Sequence, residues 1–429
     1  MRAIRGWLLI FLLILLISAV LPIFENSLRA AEPPAPSAQF VILEDTERWR
    51  PALYQKKDFH AIEQEVDRLL QKVPDELASG YLSRMYDSLS EIPEGAVVEQ
   101  MKNIIQEWCT ASPKSHIPWL VKGKFLIHYA WKIRTDGWAK DVPKEAWPLF
   151  RENLGFAQKT LEKSWEINPK DPNSSTALIT VSMGLSLDKS KMERYYQNAL
   201  AVDPSHLGAR MAKVFYLEPK WLGSLEEMYA FARTCQKEAA QFPFAGCILV
   251  EAHYENDKIL YRADKKSDFL GSENVWKEVR EVYENILRKY PDYLRARFYY
   301  AYFAYLARQN KIAAEQFDIL GNRWAPNTAW DDTDEYNKGR VRVYTALANE
   351  GLKDKNYADA ERMFLKVVDI DPKDGDAYLN LSWINGEIKH DMRKTTEYAQ
   401  KALTCELNSS QETSARSYIE MAKRISGSS

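Results

Sequence analysis

The hydrophobic positions between residues 343 and 372 form two helical stripes that are separated by a short polar break. Within each stripe, apolar or small residues recur at the three- and four-residue spacing of one helix face. The first stripe contains Tyr344, Leu347, Ala348 and Gly351, and the second contains Ala360, Phe364 and Val367. The break covers residues 353–356, and Asp371 and Pro372 end the second stripe. The pattern predicts two antiparallel helices followed by a proline that stops the second helix.

Prolines in the same kind of position recur along the chain at uneven intervals. They are Pro169, Pro204, Pro243, Pro291, Pro326 and Pro372. A further pair of stripes covers residues 378–403 and has one extra residue in the turn between its helices. The sequence pattern at residues 412–425 predicts a C-terminal capping helix. The chain therefore reads as a series of helix pairs of unequal length.

Residues 344–372 and 378–403 resemble tetratricopeptide (TPR) units, and residues 169–204 resemble such a unit more weakly. The resemblance implies an all-α fold, a right-handed α-solenoid of antiparallel helix pairs. In such a fold each pair buries its apolar face only by stacking on its neighbours. The resemblance also implies a concave groove in which a protein or peptide partner is held.

A second resemblance concerns residues 112–168. The segment begins with Pro113-Lys114-Ser115, in which Ser115 is a candidate helix cap, and continues with Gly123, Tyr129-Ala130-Trp131 and Arg134. A long helix at residues 147–167 follows. This pattern resembles a bacterial family of uncharacterised proteins built on a TPR-like scaffold. It departs from that family at Thr135-Asp136-Gly137, where glycine would directly follow the arginine. The resemblance implies a fold and no activity, while Gly123 itself predicts a close crossing of two helices.

The N-terminus carries an apolar stretch at residues 7–24 that contains no charged residue and follows Arg2 and Arg5. Two interpretations stay open, a signal peptide within residues 1–31 that is cleaved and a signal anchor that is kept. Both leave the arginines inside and place the rest of the chain outside the cytoplasm. We therefore expect an extracytoplasmic protein, periplasmic or secreted, with a tether to the inner membrane through residues 7–24 if the leader is kept. Residues 32–44 are a predicted flexible linker.

The composition is that of a helix-rich folded protein with many aromatic residues. The chain has 429 residues, with 13 Trp, 17 Gly and a formal net charge of −2. A net charge this close to zero does not predict the basic surface that binds nucleic acid, so we expect no nucleic-acid partner. We assign residues 45–168 to a divergent helical domain and residues 169–429 to the repeat array with its capping helix.

Two of the four cysteines, Cys235 and Cys247, flank a predicted turn between antiparallel helices. An oxidising compartment permits a disulfide at such a position. The alternative is that both are small apolar core residues, which is the interpretation that we favour.

The motifs of catalysis and metal binding are missing from the sequence. The six histidines do not form a metal-binding helix pattern, and no nucleophile elbow, phosphate loop or dinucleotide glycine pattern occurs. Residues 331–335 are acidic, yet they lack the alternating ligands and the glycine of a calcium loop. Asp332 with Glu335 instead fits the start of a helix. We predict a non-enzymatic protein without a metal or cofactor.

The TPR resemblance implies which side chains face the groove, because the first helix of each unit lines the concave face. The groove residues are then Arg342, Thr345, Asn349, Leu352, Lys353, Asn380 and Trp383. Asn349 with Asn380 resembles the asparagine pair with which some TPR domains hold a C-terminal carboxylate, although Thr345 stands where those domains have lysine. We predict general binding of a protein or peptide, with Arg342, Asn349, Lys353, Asn380 and Trp383 as partner-binding residues.

Two further functions are carried as alternatives. Six tryptophans, which could stack on sugar rings or fill the core, occur at Trp108, Trp119, Trp131, Trp138, Trp147 and Trp165. They motivate a role in recognising or assembling glycans of the cell envelope, with Trp138 as the member most exposed. The second alternative is an uncharacterised enzyme with a site near His116, His128 and Arg134.

Overall fold

A computed structural model describes residues 46–135, 139–325 and 328–426. The predicted leader at 1–31, the predicted linker at 32–44, Gly137, Trp138 and Pro326 lie outside the described residues. None of the helices in the described ranges is long and apolar enough to cross a membrane.

The described residues fold into a succession of α-helices. In chain order they are α1 (Trp49–Tyr54), α2 (Phe59–Leu70), α3 (Glu76–Ser90), α4 (Val98–Ala111), α5 (Ile117–Arg134), α6 (Ala146–Ile167), α7 (Pro172–Gly184), α8 (Lys189–Val202), α9 (Leu207–Tyr216), α10 (Leu225–Glu238), α11 (Cys247–Asp264), α12 (Glu273–Lys289), α13 (Leu294–Leu306), α14 (Asn310–Leu320), α15 (Thr333–Lys353), α16 (Tyr357–Ile370), α17 (Gly375–Trp383), α18 (Met392–Ala402) and α19 (Ser409–Ser426). Short 3₁₀ turns precede α1 and α11, at Thr46–Arg48 and Pro243–Gly246.

Polar caps and prolines define where many of these helices begin and end. Short polar side chains accept a hydrogen bond from the first turn of nine of the described helices, at Asp58, Asp75, Asp171, Asp188, Ser224, Asp332, Asn356, Asp374 and Asp391. The predicted pair at 344–372 is confirmed as α15 and α16, with the turn between them at the predicted polar break. Asp332 caps α15, and Glu335 accepts from the backbone N–H of Asp331 at 2.7 Å. The acidic run at 331–335 is therefore a helix start.

Most helices pack against the next one in the chain, and some alternate helices also touch. The pairs α5 and α6, α7 and α8, α13 and α14, α15 and α16, and α17 and α18 are formed in this way. The first helices of neighbouring pairs meet as well, as α7 does with α9 and α3 does with α5. This is an all-α stack of antiparallel helix pairs, TPR-like in arrangement, so the predicted fold class is confirmed. We call the odd-numbered helices α1–α17 the first helices and their even-numbered partners the second helices.

Helices α5 and α6 cross closely because Gly123 has no side chain. A Cβ atom at Gly123 would overlap the buried side chain of Leu161 on α6. The sequence placed this crossing and the long helix after it correctly. It was wrong about Ser115, because the residue before α5 is His116 and no side chain caps this helix start.

The C-terminal pair contains the extra residue that the sequence indicated. Helix α17 continues into a short π-helical turn, Ile384–Ile388, before α18 begins. A π turn holds one more residue than an α turn, so the insertion widens the end of α17. The C-terminal helix α19 packs on α17 and α18 in the capping position.

The apolar core is continuous across the predicted domain boundary at residue 168. One buried cluster extends from Trp49 on α1 to Val181 on α7, and it includes Leu154 and Leu161 on α6. The division into residues 45–168 and 169–429 therefore stays a prediction about the sequence, while the packing joins the two parts. The hand of the superhelix also stays a prediction.

Candidate functional site

Helix α3 lies across the starts of the first helices of four successive pairs, α7, α9, α11 and α13. One of its faces carries the polar residues Glu76, Ser79, Ser83 and Tyr86, at spacings of three and four residues. Residues at these spacings lie in one line along a helix. Each makes a hydrogen bond to a residue at or just before the start of a first helix. The contacts run in order along α3, so its C-terminal end meets α7 and its N-terminal end reaches α13.

The contact with α7 is centred on Asp171, whose side chain is fully buried. Its Oδ2 atom accepts from the hydroxyl of Tyr86 at 2.6 Å and lies 3.0 Å from Nε2 of His116. Its Oδ1 atom accepts from the backbone and side-chain nitrogens of Asn173, each at 2.9 Å. Burial acts to raise the pKa of Asp171, but the hydrogen bonds from His116, Tyr86 and Asn173 outweigh it, and the pKa lies below its usual value.

The contact with α9 brings together a serine, a histidine and an aspartate. Ser79 Oγ donates to Asp203 Oδ2 at 2.5 Å and lies 2.9 Å from Nδ1 of His206. Asp203 also accepts from the hydroxyl of Ser205 at 2.6 Å. Burial acts to raise the pKa of Asp203, and the hydrogen bonds from His206, Ser205 and Ser79 hold it below its usual value.

This trio has the residue types of a hydrolase triad, but its hydrogen bonds differ from those of a triad. In a triad, the acid and the nucleophile contact different nitrogens of the imidazole ring. Here Ser79 and Asp203 both contact Nδ1 of His206, while Nε2 is buried without a hydrogen-bond partner. All three side chains are buried, with 4% exposure at Ser79 and less at the others. The trio therefore fastens α3 to α9 and offers no nucleophile to a substrate.

The last contacts of α3 are made by Glu76, which is 8% exposed. Its carboxylate accepts from the backbone N–H of Phe244, just before α11, at 3.3 Å. It also accepts from the hydroxyl of Tyr290 at 2.8 Å and from Lys289 Nζ at 3.0 Å, just before α13. One carboxylate thus joins the starts of two further pairs.

A pocket of about 250 Å³ lies between α3 and the starts of α9, α11 and α13. Its walls are mainly aromatic and aliphatic, and they include Leu207, Phe244, Tyr283 and Phe303. Three charged side chains also line it, Arg84 on α3, Glu251 on α11 and Arg295 on α13. Apolar walls with a few polar groups are typical of ligand pockets.

Burial shifts the pKa of the carboxyl in this pocket. It raises the pKa of Glu251 to about 7, and the neighbouring carboxylates Glu218 and Glu255 act in the same direction against Lys258 and Lys220. Glu251 is therefore a mixture of acid and carboxylate near neutral pH.

The five partner-binding residues predicted from sequence lie on α15 and α17. Arg342, Asn349 and Lys353 are exposed on α15, and Asn380 and Trp383 are partly buried on α17. Arg342 donates to the hydroxyl of Tyr305 on α13 at 2.7 Å, so the surfaces of α13 and α15 adjoin.

The two residues on α17 make contacts within the protein. Asn380 donates to the backbone carbonyl of Asp376 at 2.9 Å, and the ring of Trp383 packs edge-on against Tyr357 at 5.7 Å. Their role in binding stays a prediction.

The structure does not bring His116, His128 and Arg134 together. His116 immediately precedes α5, and Arg134 is its last residue. Because a helix rises about 1.5 Å per residue, the 18 residues of α5 separate its ends by roughly 27 Å. Burial and the nearby Lys124 lower the pKa of His128 to about 4, so this ring is neutral at pH 7. A single enzyme site built from these three side chains is therefore incorrect.

Three of the six tryptophans that suggested glycan binding, Trp108, Trp131 and Trp147, make contacts inside the protein. The guanidinium of Arg134 lies 5.3 Å from Trp131, 5.5 Å from Trp147 and 5.6 Å from Trp221. Trp108 is fully buried and donates to Glu63 at 2.8 Å. Rings that surround a buried arginine or fill the core are not open to stack on a sugar, and these contacts favour the structural interpretation.

The cysteines are all free thiols, and Cys235 is fully buried. Burial raises the pKa of Cys235 and of Cys247 to about 12, so neither is a reactive thiolate at neutral pH. Within the described ranges, no group of three or more His, Cys, Asp or Glu side chains is placed to hold a metal ion.

The network along α3 is the feature that sequence reasoning missed. Asp171 and Asp203 read as parts of helix-ending turns, and their second role as acceptors for a distant helix is not visible in their neighbours. The one signal was on α3 itself, where Glu76, Ser79 and Ser83 form a polar line beside the apolar face of Leu82, Met85 and Leu89. Such a second, polar face indicates a buried helix that meets polar groups.

Comparison with known families agrees with the resemblance seen in the sequence. Residues 50–152 match the model of a family described as Domain of unknown function (DUF4034). The match contains α1–α5 and the start of α6, so it includes α3, and it overlaps the segment at 112–168 that resembled an uncharacterised family. The predicted recognition is confirmed. No curated protein matches the chain.

Two solved structures are similar to this chain at low identity. A human IFIT1 dimer with m7Gppp-AAAA is 13% identical, with 86% of this chain and 77% of that chain covered and a TM-score of 0.32. Yeast Tom70 is 12% identical, with 90% and 96% covered and a TM-score of 0.23. Because these identities and TM-scores are low, the TPR-like helical scaffold is assigned from the helix packing of the chain itself.

Proposed function

We propose that this protein is a non-enzymatic scaffold that binds a protein or peptide partner in the groove formed by the first helices of its C-terminal pairs. The observation that carries the proposal is the line of exposed side chains on α15, namely Arg342, Asn349 and Lys353. These residues recur at helical spacing on a first helix, which is the position that TPR-like arrays use for partners.

The distribution of internal contacts supports this position for the groove. The hydrogen bonds of α3 run from Asp171, before α7, to Tyr290, before α13. Helices α15 and α17 follow this segment in the stack, and α15 carries the exposed groups. The chain's own helix thus occupies the starts of the earlier pairs, and the later pairs present their first helices to other molecules.

The charges on α15 indicate the chemistry of the partner. Arg342 and Lys353 are cationic, and Asn349 lies between them in sequence as a neutral donor and acceptor. Such a surface matches a segment that carries acidic side chains or a free C-terminal carboxylate. Asn380 on the next first helix would extend the same surface.

We also propose that the scaffold works outside the cytoplasm, either released or tethered to the inner membrane. The support is the sequence of residues 7–24, an uncharged apolar stretch preceded by two arginines. Fractionation of cells that express the full chain tests this part, and recovery of the protein with the cytoplasmic fraction would contradict it.

The groove is tested by photo-crosslinking from single positions. A photoreactive residue at position 349 should capture a partner from an envelope extract, and the same residue at the exposed position 369 of the second helix α16 should not. Asn349→Ala combined with Lys353→Glu should reduce recovery of that partner several-fold at an unchanged melting temperature, because both side chains are exposed. Equal capture from positions 349 and 369 would refute the proposed groove.

A further inference from the structure

The pocket beneath α3 is a separate feature from the proposed groove, and two arginines line it. Arg84 comes from α3 and Arg295 from α13, and both are partly buried in the pocket wall. The Nε atom of Arg84 is buried and has no hydrogen-bond partner. Burying a guanidinium donor without an acceptor costs free energy. An acceptor from outside the chain would therefore stabilise this site.

The two guanidinium groups lie close enough to affect one another. Burial lowers the pKa of Arg295, and the positive charge of Arg84 lowers it further. Tyr299, Tyr293 and Asp87 act on the pKa of Arg295 in the opposite direction. Two like charges in a partly buried pocket are stabilised by an anion placed between them.

The rest of the pocket determines what kind of anion fits. Aromatic and aliphatic side chains form most of the wall, among them Phe244, Tyr283 and Phe303. A cavity of about 150 Å³ with such a lining holds a benzene molecule. The pocket here is larger, at about 250 Å³, which leaves room for a ring and a short arm.

The carboxyl of Glu251 lies on α11 and belongs to a different set of charges. Its pKa is affected by Lys258, Lys220, Glu218 and Glu255. The pocket therefore has a cationic end near α3 and α13 and a separate acidic side at α11.

We propose that this pocket binds a small organic carboxylate with an aromatic or apolar body, and that the carboxylate lies between Arg84 and Arg295. Arginine holds carboxylates through two parallel N–H donors, and the apolar body replaces water against the ring-lined wall. Such a carboxylate comes either from a free acid or from the C-terminus of a peptide that ends in an apolar residue.

The test is a calorimetric titration of the purified chain with 3-phenylpropionate and with its neutral amide. We expect the acid to bind and the amide to bind roughly tenfold or more weakly, because it gives no charged acceptor to the arginines. Two peptides that end in phenylalanine, one with a free carboxylate and one amidated, separate the two sources of the ligand. Binding by the free acid alone supports a small molecule, and binding by the carboxylate peptide alone supports a chain terminus.

Variants of Arg84 complete the experiment. Arg84→Met keeps the length of the side chain and should remove the preference for the acid, and Arg84→Lys should keep part of it. Arg416→Met, at an exposed position on α19, is the matched control and should bind like the original chain. Melting curves show that each variant is folded. The proposal is overturned if acid and amide bind equally, if folded Arg84→Met keeps the full preference, or if neither the acid nor the carboxylate peptide binds.

Discussion

Ser79 donates a hydrogen bond of 2.5 Å to Asp203, a residue 124 positions further along the chain. The first residue lies in the segment that matches the DUF4034 family, and the second lies in the repeat array. The bond therefore ties a helix of one part to the start of a repeat in the other.

Removing this bond should destabilise the fold. Ser79→Ala leaves Asp203 with one donor fewer and His206 Nδ1 without the hydroxyl. Since both groups are buried, we expect a loss of about 1–3 kcal/mol in the free energy of unfolding. Urea denaturation followed by circular dichroism measures it. Ser410→Ala, at an exposed position on α19, is the control and should change the value little. Equal stability of the two variants would show that the bond contributes nothing.

The buried Asp171 should make the protein acid-sensitive. Its pKa in the folded state lies below the ordinary value of 3.8, so its ionised form stabilises the fold above about pH 4. That contribution is lost as the pH falls through the lower folded pKa. We expect Asp171→Asn to be less stable than the original chain at pH 7 and the difference to shrink below about pH 4. Unfolding by urea at several pH values tests this, with the exposed Asp369→Asn as control. A difference that stays constant down to pH 3 contradicts it.

The opposite pH dependence is expected of Glu251. Its pKa is raised from 4.5 to about 7 in the folded state, so ionisation destabilises the fold as the pH rises through this interval. Glu251→Gln should leave the stability unchanged at pH 4 and raise it above pH 7, by an amount on the order of 2–3 kcal/mol. Glu412→Gln, an exposed change on α19, should show no such trend. The prediction fails if Glu251→Gln has the same effect at both pH values.

Two helical glycines should respond to alanine with opposite signs. At Gly123 a Cβ atom would overlap Leu161, and we expect Gly123→Ala to destabilise the protein by about 1–3 kcal/mol. At Gly155 on α6 no atom lies within 4 Å of the added Cβ. Gly155→Ala should therefore stabilise the protein by about 0.5–1 kcal/mol through helix propensity. Thermal melting of both variants tests the crossing, and a stable Gly123→Ala protein would show that α5 and α6 move apart easily.

Local patterns were sufficient for several helices and for some of their ends. The stripes around Tyr344 and Phe364 gave α15 and α16, Gly123 gave the crossing, and the extra residue before α18 appeared as a π turn. These features are encoded within a few residues of where they act. Ser115 failed as a cap because the helix begins one residue later, and helix ends are set by local alternatives of similar energy.

The network and the pocket could not be predicted in the same way. Tyr86 and Asp171, or Arg84 and Arg295, come together only through the stacking of several helix pairs. No periodicity within one segment reveals such neighbours. The residues chosen for the groove, such as Asn349 and Lys353, came from the resemblance to TPR units. They lie on an exposed helix face, but that face does not identify the partner.

The long-range hydrogen bonds of Glu76 have a consequence for how the chain folds during synthesis. Its partner Tyr290 is 214 residues later, so α3 completes its contacts only after α12 has been made. Until then, the carboxylate of Glu76 lacks the donors Lys289 and Tyr290. Repeat arrays usually gain stability one unit at a time. Here the helices from α7 to α12 should instead reach their full stability together, when the residues at the end of α12 bind α3.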